Sequence, residues 1–327
     1  METAVEVSRL VKQFKVARKA PGILPAFGTL FKKQHDVISA VDNISFKITR
    51  GELVGFIGPN GAGKTTTLKC LSGLLYPTSG DIDVLGFIPV KRNPQYLKKI
   101  SLVMGQKNQL WWDLPALDTF RLNKEIYEIP DSDYEKTLNE LISLLEVKDL
   151  LNIPVRQLSL GSRMKMELIA SLLHQPKILF LDEPTIGLDV VMQKKMREFI
   201  AYYNRKHRAT ILLTSHYMAD VEQLCKRIII ISSGRIIYDG DIAKITRQYA
   251  DFKLITATFK KAIEPKNIPP GGKILSFSPT RITCTVSSER AKSFAFTLLD
   301  TLPVNDLNIE DPELEEVIRN VFRKEAV

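Results

Sequence analysis

The chain has 327 residues, room for one large or two modest domains, and its hydrophobic content of 44% and charged content of 25% are ordinary for a globular protein. No stretch approaches the roughly eighteen apolar residues of a membrane-spanning helix, and the first residues do not have the pattern of a signal peptide. The three cysteines lie far apart, which favours a reducing compartment over a disulfide framework. The net charge of +9 is compatible with an anionic partner but selects none.

A basic insertion separates the first two predicted strands, Val5–Val11 and Val37–Ile48, in which apolar and polar residues alternate. The insertion covers about residues 15–36 and combines lysine and arginine with proline, glycine and large apolar side chains. This composition favours either a solvated loop or a surface patch that contacts a membrane or a partner tolerant of basic residues. The sequence leaves both alternatives open.

The most informative stretch is a glycine-rich loop that follows a short apolar strand, Leu53–Ile57, and fits the phosphate-binding pattern G-x-x-x-x-G-K-[ST]. Its candidate nucleotide-binding residues are Gly58, Pro59, Asn60, Gly61, Ala62, Gly63, Lys64, Thr65 and Thr66. The glycines let successive backbone N–H groups face one anion, Lys64 reaches the outer phosphates, and the hydroxyl of Thr65 suits Mg²⁺. A helix predicted over Lys64–Leu75 adds the positive end of its dipole. The loop therefore predicts a nucleotide site.

The rest of the chain has the pattern of an α/β protein. Continuous apolar or β-branched runs at 178–181, 210–214 and 228–231 are typical of parallel strands that are buried on both faces, and helical patterns separate them. A mainly helical stretch occupies about residues 115–152. After about Gly240 the pattern changes to short strands and helices, which predicts a separate small α+β domain.

Two carboxylates end the run at 178–181. Asp182 is placed to hold Mg²⁺, directly or through water, and Glu183 is suited to polarise a water for attack on a terminal phosphate. An Asp-Glu pair after a strand is weak evidence alone, but it is strong downstream of a phosphate loop. Strand ends in a parallel sheet converge on the ligand crevice, so His216, which follows the run at 210–214, is a candidate to hydrogen-bond the same phosphate.

Further polar residues follow or precede predicted strands and helices. Gln106 comes after a predicted strand and is a candidate for contact with the metal ion or the attacking water, with Gln109 as its competitor. Ser159 and Gly161 precede a predicted helix, where a hydroxyl and an amide form either a second anion site or an ordinary helix cap. Asp189 follows the carboxylate pair closely and is a further candidate for nucleotide binding.

Together these segments resemble the ATP-binding cassette (ABC) ATPases. The family's motifs occur here in the family's order, as the phosphate loop, Gln106, Leu158–Ser162, Asp182-Glu183-Pro184, Gly187-Leu188-Asp189 and His216. The resemblance implies an α/β P-loop ATPase of ABC type, with a mixed or parallel sheet core and a helical subdomain. It implies a nucleotide-binding domain at 1–240, whose helical subdomain is at about 107–175, and leaves an accessory α+β domain at 241–327.

The resemblance also implies the cofactors and the assembly. ATP and Mg²⁺ would lie between two subunits, either two copies of this chain or this chain and a similar ATPase subunit. The metal would contact Thr65, Gln106 and Asp182, whereas the catalytic residues would be Glu183, His216, Gln106 and Lys64. Ser159 and Gly161 would act on the γ-phosphate from the opposite subunit. The adenine-stacking aromatic of the family corresponds to Phe14, with Phe27 and Phe31 of the insertion as alternatives.

One motif departs from the family pattern. The signature segment usually reads Leu-Ser-Gly-Gly-Gln, whereas here Leu160 replaces the first glycine and Ser162 replaces the glutamine. Leucine adopts left-handed backbone angles only at a cost, so the departure bears on how tightly this segment contacts ATP.

The leading functional hypothesis is the ATP-hydrolysing subunit of an ABC transporter that lies at the cytoplasmic face of the membrane and acts through a separate transmembrane permease subunit. The C-terminal domain and its acidic segment Asp311–Glu316 resemble exporters, which favours export over import. Trp111 and Trp112 lie where the family docks the membrane subunit, as an interface anchor or as core residues.

Two other functions compete with transport. The alternative is a soluble ABC ATPase that acts on nucleic acid or the ribosome, but such relatives usually carry two cassettes or a coiled-coil insertion, and we expect no nucleic-acid partner. A small-molecule kinase or a GTPase would leave Leu158–Ser162 and His216 unexplained.

Overall fold

The computed structural model describes residues 2–17, 35–105, 109–249 and 252–325. The chain divides into two compact units, Met1–Asp239 and Gly240–Val327. Most of the basic insertion lies outside the described residues, as do Gln106, Phe27 and Phe31. Within the described ranges, no helix combines the length and the apolar character needed to cross a membrane.

The first unit contains an antiparallel sheet and a mainly parallel sheet. Its strands within the described residues are β1 Thr3–Ala17, β2 His35–Thr49, β3 Leu53–Ile57, β4 Ser79–Val84, β5 Ile100–Met104, β6 Ile178–Asp182, β7 Thr210–Thr214, β8 Arg227–Ser232 and β9 Arg235–Asp241, the last of which spans the boundary between the units. Strands β2-β1-β4 form the antiparallel sheet, and the second sheet has the order β5-β6-β7-β3-β8-β9. The strands from β5 to β8 in that order run parallel. The mixed or parallel sheet core predicted from the sequence is confirmed.

The carboxyl ends of the central strands place the candidate site. Every residue of β3, β6 and β7 is buried, which explains why their sequences are continuous apolar runs rather than alternating ones. The register pairs Asp182 at the end of β6 with Thr214 at the end of β7. The residues that follow these strands therefore emerge side by side at one edge of the sheet.

The helices of the first unit include the one that follows the phosphate loop and those of the predicted helical subdomain. Within the described residues they are α1 Lys64–Leu71, α2 Pro94–Leu97, α3 Ala116–Tyr127, α4 Asp131–Leu145, α5 Leu160–Leu172, α6 Val190–His207 and α7 Met218–Leu224, with short 3₁₀ helices at Pro89–Lys91, Lys148–Leu150 and Val155–Gln157. Helices α3 and α4 both contact α5, which also contacts β5. The helix α1 ends at Leu71, four residues before the predicted end.

One hydrophobic core joins both sheets of the first unit. It includes Val5 and Ile48 from the antiparallel sheet, Phe56 and Phe180 from the parallel sheet, and Leu68 from α1. Burial of such side chains stabilises by about 1.5–3 kcal/mol each. Because α1 and β3 are both anchored in this core, the loop between them has a fixed position.

The second unit is an antiparallel sheet with helices, and thus an α+β arrangement. Its elements within the described residues are α8 Ile242–Tyr249, β10 Phe252–Phe259, β11 Lys273–Ser278, β12 Arg281–Ser287, α9 Ala291–Thr301, β13 Val304–Glu310 and α10 Leu314–Glu325, with a 3₁₀ helix at Pro265–Asn267. The strand order is β11-β12-β10-β13. Helix α9 packs on β10, β12 and β13, and its Leu298 is buried with Ile255, Ile282 and Cys284. Helix α8 contacts α10.

Candidate functional site

The phosphate loop joins β3 to α1 in a conformation that requires glycine at two positions. Gly63 has a φ of 108°, and a Cβ there would lie 2.3 Å from the carbonyl oxygen of Ala40. A Cβ on Gly58 would lie 2.1 Å from the carbonyl oxygen of Ile231. Both neighbours are backbone atoms held in sheets, so a larger residue would displace the loop. The loop keeps the backbone close to the N-terminus of α1, where the helix dipole favours an anion.

Lys64 is buried within this loop. Its Nζ donates hydrogen bonds to the carbonyl oxygens of Gly58 at 2.7 Å and Pro59 at 3.1 Å. Burial lowers the pKa of the Lys64 ammonium, and the carboxylates of Glu183 and Asp182 oppose that shift. This influence agrees with the proximity of the loop to the end of β6, where Thr65 Oγ1 lies 2.7 Å from Asp182 Oδ2.

The carboxylate of Asp182 is held by two threonine hydroxyls. Thr65 Oγ1 donates to Asp182 Oδ2 at 2.7 Å, and Thr214 Oγ1 donates to Asp182 Oδ1 at 2.7 Å. The backbone N–H of Gly105 also bonds the carbonyl oxygen of Asp182 at 2.9 Å. The hydroxyl of Thr65 and the carboxylate of Asp182 form a pair of hard oxygen ligands beside the phosphate loop, which is the ligand chemistry that Mg²⁺ prefers.

Glu183 turns out of the sheet and meets His216. Its φ of 56° lies in the left-handed region, which costs a non-glycine residue about 1–2 kcal/mol. Its backbone N–H bonds both the carbonyl oxygen and the side-chain Oγ1 of Thr214, each at 3.1 Å. The side chain of Glu183 contacts that of His216, whose Nε2 lies 2.6 Å from Glu183 Oε1. A carboxylate beside an imidazole, next to a phosphate loop, is able to hold and polarise a water molecule.

The signature segment forms the exposed start of α5. Ser159 is the N-cap, and its Oγ accepts a hydrogen bond from the backbone N–H of Ser162 at 3.1 Å. The structure therefore shows Ser159 as a helix cap, and the second anion site at the same helix start stays a prediction. Leu160 is the first helical residue, so the replacement of glycine requires no left-handed backbone. Asp189 is likewise an exposed N-cap, since its Oδ1 accepts from the backbone N–H of Met192 at 2.9 Å and begins α6.

Comparison with known proteins now identifies the family. The sequence profile described as "ABC transporter" matches residues 41–186. The chain is 34% identical over 215 residues to the ABC transporter ATP-binding protein NatA of Bacillus subtilis (strain 168), and the alignment covers 66% of this chain and 87% of NatA. The chain belongs to the ABC transporter ATP-binding proteins. ATP is therefore the ligand that its family binds.

Two further similarities agree with this assignment. The chain is 32% identical over 226 residues to the bacitracin transport ATP-binding protein BcrA of Bacillus licheniformis, and the alignment covers 68% of this chain and 72% of BcrA. A solved dimeric ATP-binding cassette in a post-hydrolysis state, bound to ADP and Pi, has a TM-score of 0.60 and 22% sequence identity. That alignment covers 72% of this chain and 98% of the solved chain, and it shows that the ABC cassette has the fold predicted from the sequence.

Three other predicted site residues are Phe14, Gln106 and its competitor Gln109. Phe14 lies on β1, partly exposed, with Lys12 Nζ 5.0 Å from the centre of its ring. Gln106 is outside the described residues. The side chain of its competitor Gln109 is engaged elsewhere, because its Nε2 donates to the carbonyl oxygen of Leu102 at 2.5 Å. The backbone N–H of Gln109 bonds Glu167 Oε1 at 2.9 Å.

Sequence reasoning missed the threonine that holds both carboxylate residues in place. Thr214 ends an apolar run and carries no motif of its own, so its contacts with Asp182 and Glu183 were not predicted. The available signal was its position at the end of a strand, next to the predicted site residue His216, and the register pairs it directly with Asp182. It also missed a buried charged residue, Asp220, that contacts the loops after β6 and β7.

Proposed function

We propose that this ABC cassette hydrolyses ATP with Mg²⁺ and thereby drives a transporter. The observation that carries the proposal is the convergence of two contacts beside the phosphate loop. Thr65 contacts Asp182, and His216 contacts Glu183, although these residues come from three separate parts of the chain. A nucleotide-binding site without hydrolysis would need the loop but not the second contact.

The residues near the loop have distinct roles in this proposal. Thr65 and Asp182 hold Mg²⁺, since their oxygens are already within 2.7 Å of each other, and the side chain of Gln106 is the third proposed ligand. Bound Mg²⁺ supplies neutralisation of the charge that develops on the phosphates. The ammonium group of Lys64 binds the outer phosphates, and its hydrogen bond to the carbonyl oxygen of Gly58 holds it at the loop.

Glu183 acts as the general base in the proposed reaction. Its carboxylate takes up the proton of the attacking water, and positioned proton transfer of this kind contributes about 10²–10⁴ in rate. His216 holds the carboxylate through its Nε2 and hydrogen-bonds the γ-phosphate when ATP is bound. Thr214 fixes the backbone of Glu183, so the carboxylate is aimed before the nucleotide arrives.

A second subunit completes the site. Ser159 and Gly161 lie at the exposed N-terminus of α5, where backbone N–H groups and a serine hydroxyl favour an anion. We infer that they bind the γ-phosphate of ATP held by the opposite subunit, with Asp189 near the same interface. The solved dimeric cassette has this fold, which supports pairing either between two copies or with a similar ATPase subunit.

The membrane partner is proposed to be a separate permease subunit at the cytoplasmic face. Trp111 and Trp112 are 56% and 46% exposed, so neither is a core residue. The guanidinium Cζ of Arg163 lies 5.4 Å from the centre of the Trp112 ring. Both tryptophans thus lie at the surface of the predicted helical subdomain. Exposed tryptophans are typical anchors of protein interfaces. The relative BcrA is named for bacitracin transport, and together with the C-terminal domain this favours export.

Co-purification from membranes tests the transport proposal. The wild-type chain should bring down one membrane-spanning subunit and hydrolyse ATP only with Mg²⁺. The double variant W111A/W112A should lose the membrane subunit, whereas Phe296→Ala, which removes a 71%-exposed aromatic from the second unit, should retain it. ATP hydrolysis that is stimulated by nucleic acid, without any membrane partner, would instead favour the soluble ABC ATPase.

A further inference from the structure

A buried charged cluster contacts the loops that carry Glu183 and His216. Asp220, on α7, is only 1% exposed, and Arg197, on α6, is 8% exposed. Arg197 Nη1 donates to Asp220 Oδ1 at 2.8 Å, and Arg197 Nε donates to Gln223 Oε1 at 2.9 Å. Burial of a charge is costly unless the charge is paired and hydrogen-bonded, so a pair at this depth requires an explanation.

The other oxygen of Asp220 binds two hydroxyls from two different loops. Ser215 Oγ donates to Asp220 Oδ2 at 2.8 Å, and Thr185 Oγ1 donates to the same atom. Ser215 immediately precedes His216, and Thr185 lies two residues after Glu183. One carboxylate therefore connects the loop that carries the general base to the loop that carries the histidine.

The sheet alone does not extend this far. The ladder between β6 and β7 ends at the pair Asp182 and Thr214, and the next backbone bond is from the N–H of Glu183 to Thr214. Beyond that point the two loops leave the sheet, and the carboxylate of Asp220 receives a bond from each of them. Ser215 Oγ also accepts from the backbone N–H of Tyr217 at 3.0 Å, which shapes the turn around His216.

We propose that Asp220 is a positioning residue for ATP hydrolysis, which sets the distance between Glu183 and His216 through Thr185 and Ser215. The inference rests on the proposed function of this site. Hydrogen bonds to a charged acceptor are about twice as strong as neutral ones, so the bridge resists separation of the loops. Arg197 fixes the orientation of the carboxylate. A displacement of about 1 Å in a reacting group costs on the order of 100-fold in rate.

Three variants of the full-length chain test this role. Asp220→Asn keeps the shape and removes the charge, Thr185→Ala removes one hydroxyl, and Thr185→Ser keeps that hydroxyl. The control is Asp239→Asn, which removes the charge from a more exposed aspartate–arginine pair away from the site, in which Arg227 Nε and Nη2 bond Asp239 at 2.7 and 2.8 Å. The measurements are kcat and KM for ATP, nucleotide affinity in the absence of turnover, and the midpoint of thermal unfolding.

We expect a fall in kcat of about 10- to 100-fold for Asp220→Asn and about tenfold for Thr185→Ala, with nucleotide affinity within about twofold of wild type. Thr185→Ser should restore most of the rate, and Asp239→Asn should leave it unchanged. A merely structural pair would lower the unfolding midpoint without a selective loss of kcat, and that result would overturn the inference.

The outcomes separate this inference from the proposed function. If the Thr185→Ala and Asp220→Asn variants fold and both keep the turnover of the wild-type chain, the inference is overturned and the proposed function is not. If Asp220→Asn fails to fold, the comparison of Thr185→Ala with Thr185→Ser decides the question. Absence of hydrolysis by the wild-type chain with its partners overturns the proposed function and this inference with it.

Discussion

The two compact units bury different kinds of side chain. Among the described residues, every buried polar or charged side chain lies in the first unit, between Lys64 and Asp220. The buried cluster of the second unit is built from apolar side chains such as Ile255, Phe294 and Leu298, with the thiol of Cys284. Buried polar groups cost stability unless they are bonded, whereas apolar burial contributes stability directly. The first unit thus holds a preorganised polar site, and the second is held together by packing.

The polar side chains of the first unit are concentrated where strands end. Asp182, Thr214 and Ser215 follow one another across the edge of the parallel sheet, and each has a hydrogen-bond partner there. The left-handed backbone of Glu183 adds strain at the same edge. If this comparison is correct, substitutions in the polar site of the first unit should change catalysis or nucleotide binding, and substitutions in the second unit should change only stability.

The largest expected effect is that of Glu183→Gln. The amide keeps the shape of the side chain but cannot accept the proton of the attacking water, so we expect hydrolysis to fall by about 10³-fold or more while ATP binding remains. ATP should then hold the subunits together as a stable dimer. Steady-state hydrolysis, nucleotide binding and size-exclusion chromatography with ATP measure these effects. Full turnover by this variant would rule out Glu183 as the base.

The control for this variant lies in the second unit. Glu313→Gln makes the same chemical change at an exposed position just before α10. We expect wild-type hydrolysis and no ATP-dependent dimer trapping. A comparable loss of hydrolysis would show that the second unit contributes to catalysis, and the comparison between the units would fail.

The second prediction tests the packing of the second unit with two neighbouring leucines. Leu298 on α9 is fully buried, whereas Leu299 is 56% exposed. Leu298→Ala should lower the free energy of unfolding of this unit by about 2–5 kcal/mol, because it leaves a cavity, and Leu299→Ala should change it by less than about 0.5 kcal/mol. Denaturant unfolding measures both. Equal effects would contradict the packing described here.

The third prediction concerns Lys64→Ala. Loss of the cation and its hydrogen bonds should weaken ATP binding by about 1.5–3 kcal/mol, or roughly 10- to 100-fold in affinity. Lys273→Ala removes an exposed lysine from the second unit and serves as the control. Calorimetric titration with ATP gives both values. Unchanged affinity in Lys64→Ala would remove this side chain from the phosphate site.

The sequence predicted those elements whose pattern is set locally. Continuous apolar runs gave β3, β6 and β7, because strands buried on both faces need no polar residues. It did not predict β13, which spans Val304–Glu310. That segment contains Asn305, Asp306 and Asn308, residue types that are depleted in strands. It is a strand because it pairs with β10 at an edge of the sheet, where polar side chains face solvent.

The candidate site shows the same division. The phosphate loop and the Asp182–Glu183 pair were predicted because their chemistry requires fixed residue types at fixed spacing. The contacts of Thr214 and Asp220 were not, since they depend on which strands and helices become neighbours in the fold. Asp220 in particular lies 35 residues from Thr185 in the chain, and no local pattern connects them. Tertiary contact, rather than sequence spacing, determines this part of the site.

The smallest expected effect uses two cysteines as reporters of the two units. Burial raises the pKa of Cys70 in the first unit to about 11, against a smaller opposing effect of Lys12, and burial also raises the pKa of Cys284 in the second unit to about 11. Both thiols are therefore protonated and inaccessible near neutral pH, and alkylation requires local opening. Slow labelling of both is expected in the wild-type chain.

A destabilised second unit should then open without the first. In Leu298→Ala, we expect labelling of Cys284 to accelerate several-fold while labelling of Cys70 stays unchanged, and Leu299→Ala should alter neither rate. ATP should slow the labelling of Cys70 alone, because ligand binding stabilises only the unit that binds it. Mass spectrometry of the alkylated peptides distinguishes the two sites. If Cys70 accelerates together with Cys284, the units unfold as one, and the preorganised site depends on packing in the second unit as well as on its own hydrogen bonds.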